Sequence, residues 1–524
     1  MKVVTAAQMA ALEQASARLG VSTDTLMEKA GLAVAEAARQ LLRGAAGARI
    51  VVLVGPGNNG ADGLVAARHL RRWGAEVTAY LVTGRPEFDP KMELARRYGV
   101  ATLSSDGDPG LAQLELLLSS CRLVIDAVLG TGRARPLSGV ARDALLRLKS
   151  RRSAVGRPLV LALDLPTGLD PDTGQVDPAC AAADLTVALG RPKVGLLAFP
   201  GAAYVGELRV ADIGLPSALG EEAEILLELL TPDWAGRRLP VRPLDSHKGT
   251  FGHVLVVAGS RNYVGAAFLA SQAAVRAGAG LVTLAAPRSV DAIVASKLAE
   301  VVHLPLPEDA EGRVHQDGAE LILSILGRYT TLLVGCGLGW SGGTGDFIRR
   351  LLLDHQPSPP IVIDADGLNN LSGLPDWWQR LGGPAVVTPH PGEMATLTGA
   401  SAAAVQRDRT GFARRWSSRW GVVVALKGAY TVMAEPGGMV RISPFANPGL
   451  ASGGTGDVLS GIIAGLMAQG LPPADAACCG VYLHGRTAET VRARLGDAGT
   501  IASDLINELP ETIKGLRLGG GAGG

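Results

Sequence analysis

At 524 residues the chain is too long for one hydrophobic core and predicts at least two domains. With 47% apolar and 19% charged residues it has the balance of a globular enzyme, and a net charge of +1 argues against a nucleic-acid or anionic-membrane partner. No run of about 18 apolar residues predicts a membrane span, and the N-terminus lacks the basic start and apolar stretch of a secretory signal, so a cytoplasmic protein is expected.

The first half alternates helix-like and strand-like segments. Helical patterns over 5–19 and 23–42 precede an apolar strand at 50–54, which runs into Gly55-Pro-Gly-Asn-Asn-Gly-Ala-Asp-Gly63 and a helix ending at Trp73. A strand follows at 77–82, a helix at 111–118, and a strand at 123–127 that leads to Asp126 and then Gly130-Thr-Gly-Arg-Ala-Arg-Pro136. A strand at 159–163 ends in Asp164-Leu-Pro-Thr-Gly168, and another spans 185–189. The order breaks at 213–216, and the Pro- and Arg-rich stretch 231–247 reads as a linker. A second series of strands follows at 254–258, 281–285, 332–335, 361–364, 385–388 and 422–426. Residues 519–524 form a glycine-rich tail. Both halves are layered α/β domains. Five cysteines, at 121, 180, 336, 478 and 479, show no metal-ligand spacing and are expected as reduced, buried thiols.

The most informative segment is Asn447-Pro-Gly-Leu-Ala-Ser-Gly-Gly-Thr-Gly-Asp457, followed by an apolar helix. Glycines 453, 454 and 456 let bare N–H groups converge at a helix N-terminus, where they suit an anion. Asp457 would repel such an anion, which makes sense if it takes a proton from a hydroxyl during phosphoryl transfer. A plain helix cap is the alternative. Four more loops close predicted strands: Gly335-Cys-Gly-Leu-Gly339, Asp364-Ala-Asp366, Thr388-Pro-His-Pro-Gly-Glu393 and Lys427-Gly-Ala-Tyr-Thr431. Open α/β sheets place ligands at such strand ends, although each loop alone also reads as turn chemistry.

Taken together with His247-Lys-Gly-Thr-Phe-Gly-His-Val254 and Gly265-Ala-Ala267, these motifs resemble the ribokinase-like superfamily, and within it the ADP/ATP-dependent NAD(P)H-hydrate dehydratases, over about residues 229–515. The resemblance implies transfer of a phosphoryl group from ADP to the hydroxyl of a hydrated nicotinamide, followed by loss of phosphate. It casts Asp457 as base. Lys427, Gly428, Ala429, Tyr430, Thr431, Gly453, Gly454, Thr455 and Gly456 would face the nucleotide. Ala266, Gly337, His390 and Asp457 would face the hydrate, and Glu393 would help place Mg²⁺.

The first half resembles the NAD(P)H-hydrate epimerases, with a Rossmann-like fold, over about residues 1–215. Residues 216–228 would connect the two domains, and 516–524 would form a flexible tail. The resemblance implies K⁺ on Asn59, Asp126 and Thr167. It places the hydrates of NADH and NADPH against Asn58, Asn59, Gly60, Ala61 and Asp62, against Gly130, Thr131, Gly132, Arg133, Ala134, Arg135 and Pro136, and against Asp164 as acid/base. Ala61 departs from a glycine common in the family, and Thr167 from a serine. A homo-oligomer is expected. Two other readings stay open here: a small-molecule kinase with an appended domain, and a non-enzymatic ligand-binding first half.

Overall fold

The computed structural model describes the whole chain except residues 87, 132–135, 155, 218, 356 and 520–524. It divides into two compact units, Met1–Ile225 and Leu226–Gly524.

The first unit is built on seven strands: β1 (Arg49–Val54), β2 (Glu76–Leu81), β3 (Ala101–Ser104), β4 (Leu123–Ala127), β5 (Leu159–Leu163), β6 (Leu185–Leu189) and β7 (Glu207–Ala211). Their order is β3-β2-β1-β4-β5-β6-β7 and every pairing is parallel. Parallel strands need both faces covered, which is why they read as nearly unbroken apolar runs. Ile50, Val52 and Val54 of β1 pack with Leu12, Val34 and Leu64 of the helices on one face. Val51 and Leu53 pack with Leu114, Leu145 and Leu148 on the other. The chain order reverses between β1 and β4, so the loops leaving their C-terminal ends diverge and open a crevice.

The second unit carries ten strands: β8 (Leu227–Leu229), β9 (His253–Val257), β10 (Leu281–Pro287), β11 (Val302–Leu306), β12 (Thr331–Val334), β13 (Ile361–Ile363), β14 (Ala385–Val387), β15 (Val423–Leu426), β16 (Val432–Ala434) and β17 (Val440–Ile442). Their order is β11-β10-β9-β12-β13-β14-β15-β16-β17-β8, parallel from β11 to β15 and antiparallel through the hairpin β15-β16-β17. Here the order reverses between β9 and β12. The helices Val264–Arg276 and Thr455–Ala468 lie over one face, where Ala270, Val458 and Ile462 meet Val254, Val256 and Leu333.

Several sequence expectations change. The division after Ile225 falls inside the expected connecting segment 216–228, but little of that stretch is free of the units: Leu219 and Ile225 are buried in the first core, Lys2 Nζ donates to Ile225 O at 2.8 Å, and β8 already pairs with β17. Nor is 231–247 simply a linker, because Thr231 caps the helix Pro232–Gly236 and Ala235 is fully buried. The tail begins later than 516, since the helix Ala502–Gly519 runs through it and Leu516 is buried; residues 520–524 lie outside the described residues. All five cysteines are free and buried. No described helix is long and apolar enough to cross a membrane.

Candidate active sites

In the second unit, the helix Thr455–Ala468 is capped by Gly454 in the left-handed region at φ 87°. A β-carbon there would stand 2.4 Å from Leu269 Cδ1 and the φ itself strains an L side chain, so the turn favours glycine. Thr455 Oγ1 donates to Leu450 O at 2.8 Å and Ser452 O at 3.0 Å, which ties the preceding loop under the helix start. Asp457 thus falls in the first helical turn. Its carboxyl is pushed up to about 6 by burial and by the negative charge of Asp364; a hydrogen bond from Cys336 and the charge of Lys427 act the other way. Oxygens of Asp364 and Asp457 and the sulfur of Cys336 lie within 4.8 Å of one another.

Lys427, the first residue past β15, donates from Nζ to Asp364 Oδ1 at 2.6 Å and stands 3.7 Å from Glu393 Oε2. Burial alone would lower its ammonium, but the two carboxylates outweigh it and hold the charge on the lysine. His390 was expected on a stiff loop. It is instead the cap of the helix Pro391–Thr398: Nδ1 accepts from Gly392 N at 3.0 Å and Glu393 N at 3.2 Å, while Glu393 Oε2 accepts from His390 N at 2.7 Å. With Nδ1 an acceptor, the ring proton resides on Nε2. Gly337 at φ 64° fits against Ala266, whose Cβ is 2.8 Å from where a Gly337 β-carbon would be. The turn 427–431 is held by Thr431 Oγ1 to Gly428 O at 2.8 Å and Tyr430 N to Phe445 O at 2.8 Å. Cys336 precedes Gly337 and hydrogen-bonds Asp457, so Ala266, Gly337, Lys427 and Asp457 share one end of the sheet. Glu393 joins His390 to this group through Lys427.

In the first unit, Gly55 leaves β1 so close to β4 that a β-carbon would stand 1.8 Å from Val128 O. Residues 58–63, expected as loop, are already helix: Asn58–Arg72 starts directly after Gly57. The crevice holds a cavity of about 530 Å³ lined by Asn58, Asn59, Asp62, Gly130, Thr131 and Asp164, together with Glu13, Lys193 and apolar side chains such as Leu26 and Met27. Asp164 sits at φ 69°, a strained backbone position of the kind that gathers at functional sites. Its Oδ1 accepts from Leu189 N at 3.1 Å and from Lys193 Nζ. Asp62 is 7% exposed, with Oδ1 unpartnered among the described residues. Burial, then the charges of Asp164 and Glu13, push its carboxyl up to about 8.

Asp126 and Thr167 are not among the residues lining this cavity. Thr167 donates to Asp126 from N at 2.8 Å and from Oγ1 at 2.7 Å, and Thr167 Oγ1 accepts from Leu129 N at 3.0 Å. Asn59 is packed on Gly130, and its Nδ2 has no partner among the described residues. Gly60, Ala61 and Pro136 do not line the cavity either; Gly60 faces the carbonyl of Gly55. Gly132, Arg133, Ala134 and Arg135 lie outside the described residues. Lys193 and Glu13 went unread in the sequence. Lys193 closes the turn after β6, a strand-end position; Glu13 lies inside a helix with nothing in the sequence to distinguish it.

Two α/β units, each with its polar groups collected at the C-terminal ends of its parallel strands, define a two-site α/β enzyme. The family model described as NAD(P)H-hydrate dehydratase matches residues 254–511, and the YjeF-related protein N-terminus matches 23–195. The chain is 41% identical to the bifunctional NAD(P)H-hydrate repair enzyme Nnr of Moorella thermoacetica, over 98% of this chain and 97% of that one. It is 38% identical to the enzyme of the same name from Thermofilum pendens, over 99% and 97%. Among solved structures, the ADP/ATP-dependent NAD(P)H-hydrate dehydratase of Bacillus subtilis is 30% identical, covering 55% of this chain and 98% of that one with a TM-score of 0.48. The chain belongs to the bifunctional NAD(P)H-hydrate repair enzyme family.

Proposed function

We propose that the first unit interconverts the two C6 epimers of hydrated NADH and NADPH, and that the second dehydrates one epimer at the expense of ADP. The observation that carries the dehydration is Asp457, a carboxylate in the first turn of a helix whose preceding amides can hold an anion. Asp457 takes the proton of the C6 hydroxyl. The oxygen attacks the terminal phosphorus of ADP, and AMP leaves. The phosphorylated C6–O bond then breaks with loss of a C5 proton, giving inorganic phosphate and the restored dihydropyridine. The amides at 453–456 and Lys427 stabilise charge on the transferring phosphoryl group. Gly428, Ala429, Tyr430 and Thr431 shape the nucleotide side. Ala266, Gly337 and His390 shape the hydrate side.

In the first unit Asp164 serves as acid/base. With a proton passed to it from the Lys193 ammonium, it protonates the departing C6 hydroxyl, the ring nitrogen lone pair forms the C=N bond as water leaves, and when water adds to the other face its proton returns through Asp164 to Lys193. Asn58, Asn59, Asp62, Gly130 and Thr131 hold the substrate, with Gly132, Arg133, Ala134, Arg135 and Pro136 proposed on family likeness alone.

Asp126 suits a cation: it is 1% exposed, has only neutral donors beside it among the described residues, and burial holds its carboxyl above the usual range. Asn59, Asp126 and Thr167 would supply hard oxygen ligands to K⁺, which would fix the loops after β4 and β5. Glu393 does not suit Mg²⁺, because Oε2 already faces His390 N and Lys427, and Oε1 lies 3.4 Å from His390 Nε2. Magnesium would accompany ADP as the counter-ion of its phosphates.

The test is NADH absorbance from NADHX with ADP and ATP compared, in the native chain and in Asp457→Ala. Loss of recovery with epimer exchange retained is expected. Persistent recovery removes Asp457 as the base, and a stable phosphorylated product would indicate a kinase.

A further inference from the structure

Asp364 has no part in the chemistry above, yet its side chain is among the most tightly held in the second unit. It is 1% exposed and stands one residue past the end of β13. Oδ1 accepts from Lys427 Nζ and Oδ2 accepts from Ser460 Oγ, each at 2.6 Å. Ser460 belongs to the helix that carries Asp457, and its hydroxyl also lies 3.1 Å from Gly456 O. The carboxylate therefore ties a strand-end lysine to the helix of the anion loop. Lys427 Nζ lies 3.5 Å from where a β-carbon on Gly456 would stand, which puts the ammonium beside the first helical turn. The next residue, Ala365, is held at φ 48°, a strained position for a residue with a side chain.

A turn or cap would have the carboxylate accept backbone N–H groups, whereas both of its oxygens are bound to side chains. A purely stabilising ion pair is a weak explanation, because a buried pair gains little over apolar residues of similar volume. Lysine has a flexible four-carbon stem and three donors. Fixing one donor and flanking the ammonium with Glu393 leaves a remaining N–H with one direction to point.

We infer that Asp364 is a positioning residue for phosphoryl transfer, which pins the Lys427 ammonium beside the first turn of the helix Thr455–Ala468 so that its remaining donor meets the nucleotide phosphate. This rests on Lys427 being a nucleotide contact. The same carboxylate lies close to Asp457, so the pair also sets the charge around the proposed base.

The experiment uses the full chain with Asp364→Asn, Lys427→Met and both together, measuring dehydration of NADHX against ADP concentration and epimer exchange in parallel. Asp364→Asn is expected to raise KM for ADP about tenfold or more, with epimer exchange unchanged. The double variant is expected to be no worse than Lys427→Met alone, because one residue acts through the other. Losses that multiply, or an unchanged KM for ADP in Asp364→Asn, overturn the inference. An unchanged KM in Lys427→Met overturns the nucleotide reading of that lysine and the inference with it. Should Asp364→Asn not fold, Ser460→Ala frees Oδ2 alone: a smaller rise in KM for ADP supports the inference and an unchanged KM overturns it.

Discussion

Lys193 Nζ and Asp164 Oδ1 form an ion pair whose side chains are 1% and 7% exposed, at the wall of the first unit's cavity. Lys193 is the one Lys or Arg side chain lining that cavity among the described residues. Removing one member of such a pair strands the other charge in the interior, at a cost of about 3–5 kcal/mol. Lys193→Met is expected to destabilise the first unit by that order and to abolish epimer exchange. Adding Asp164→Asn should return most of the stability but none of the exchange. Chemical denaturation beside an exchange assay separates the two effects.

Asp62 gives a pH dependence of stability with a definite sign. Its carboxyl rises from an ordinary 3.8 to about 8 in the folded chain, through burial first and then the charges of Asp164 and Glu13. The folded state therefore holds this proton over a range in which the unfolded state has released it. The associated stability is fully present below about pH 4 and is lost as pH rises toward 8. Between pH 4 and 7 the loss is on the order of 3 kcal/mol. Asp62→Asn should flatten this slope in unfolding curves of the full chain; an unchanged slope would show that Asp62 ionises normally.

The dehydration rate should follow the ionisation of Asp457. Its carboxyl at about 6 is protonated in acid and cannot accept the hydroxyl proton. The rate at saturating ADP is expected to climb about tenfold per unit up to pH 6 and then level off. Cys336→Ala removes a hydrogen bond that favours the charged form, so the inflection should move to higher pH. A profile flat from pH 5 to 8 would rule out this carboxylate as the base.

Potassium should stabilise the first unit as well as activate it. Saturating KCl is expected to raise its melting temperature in the native chain and in Thr167→Ser, and much less in Thr167→Val or Asp126→Ala. Equal stabilisation of all four by KCl would take the ion away from Asp126 and Thr167.

The strands were legible because burial on both faces forces unbroken apolar runs, as at 123–127, 159–163 and 185–189, which match β4, β5 and β6 residue for residue. Edge strands escaped. β3 and β11 are half-exposed, and β11 carries His303 and Pro305, so neither shows the run that marks the centre of a sheet. Candidate site residues at strand ends, such as Asp164 and Lys427, could be picked out because glycine, proline and polar residues punctuate those positions. Glu13 could not, since only tertiary folding brings the first helix to the cavity. The helical start at Asn58 was hidden by the four glycines of 55–63, which suggest a loop; Gly60 and Gly63 are there for close packing, against the carbonyl of Gly55 and the side chain of Ala127.

Gly454 offers a test of whether the anion loop acts through its shape. Its φ of 87° costs an L-residue roughly 1–2 kcal/mol, and the added β-carbon would press on Leu269 Cδ1 at 2.4 Å. Leu269 can turn away only in part, because it packs against the core under the helix. Gly454→Ala should therefore cost about 2 kcal/mol in stability and shift the start of the helix that carries Asp457. The amides at 453–456 would then no longer converge. If the loop holds the transferring phosphoryl group, kcat for dehydration should fall by about a hundredfold or more. Leu269→Ala in the same chain relieves the contact but not the backbone strain. Recovery of stability with little recovery of kcat would place the catalytic effect in the loop's backbone, whereas full recovery of both would make Gly454 a packing residue and leave the anion site to Lys427.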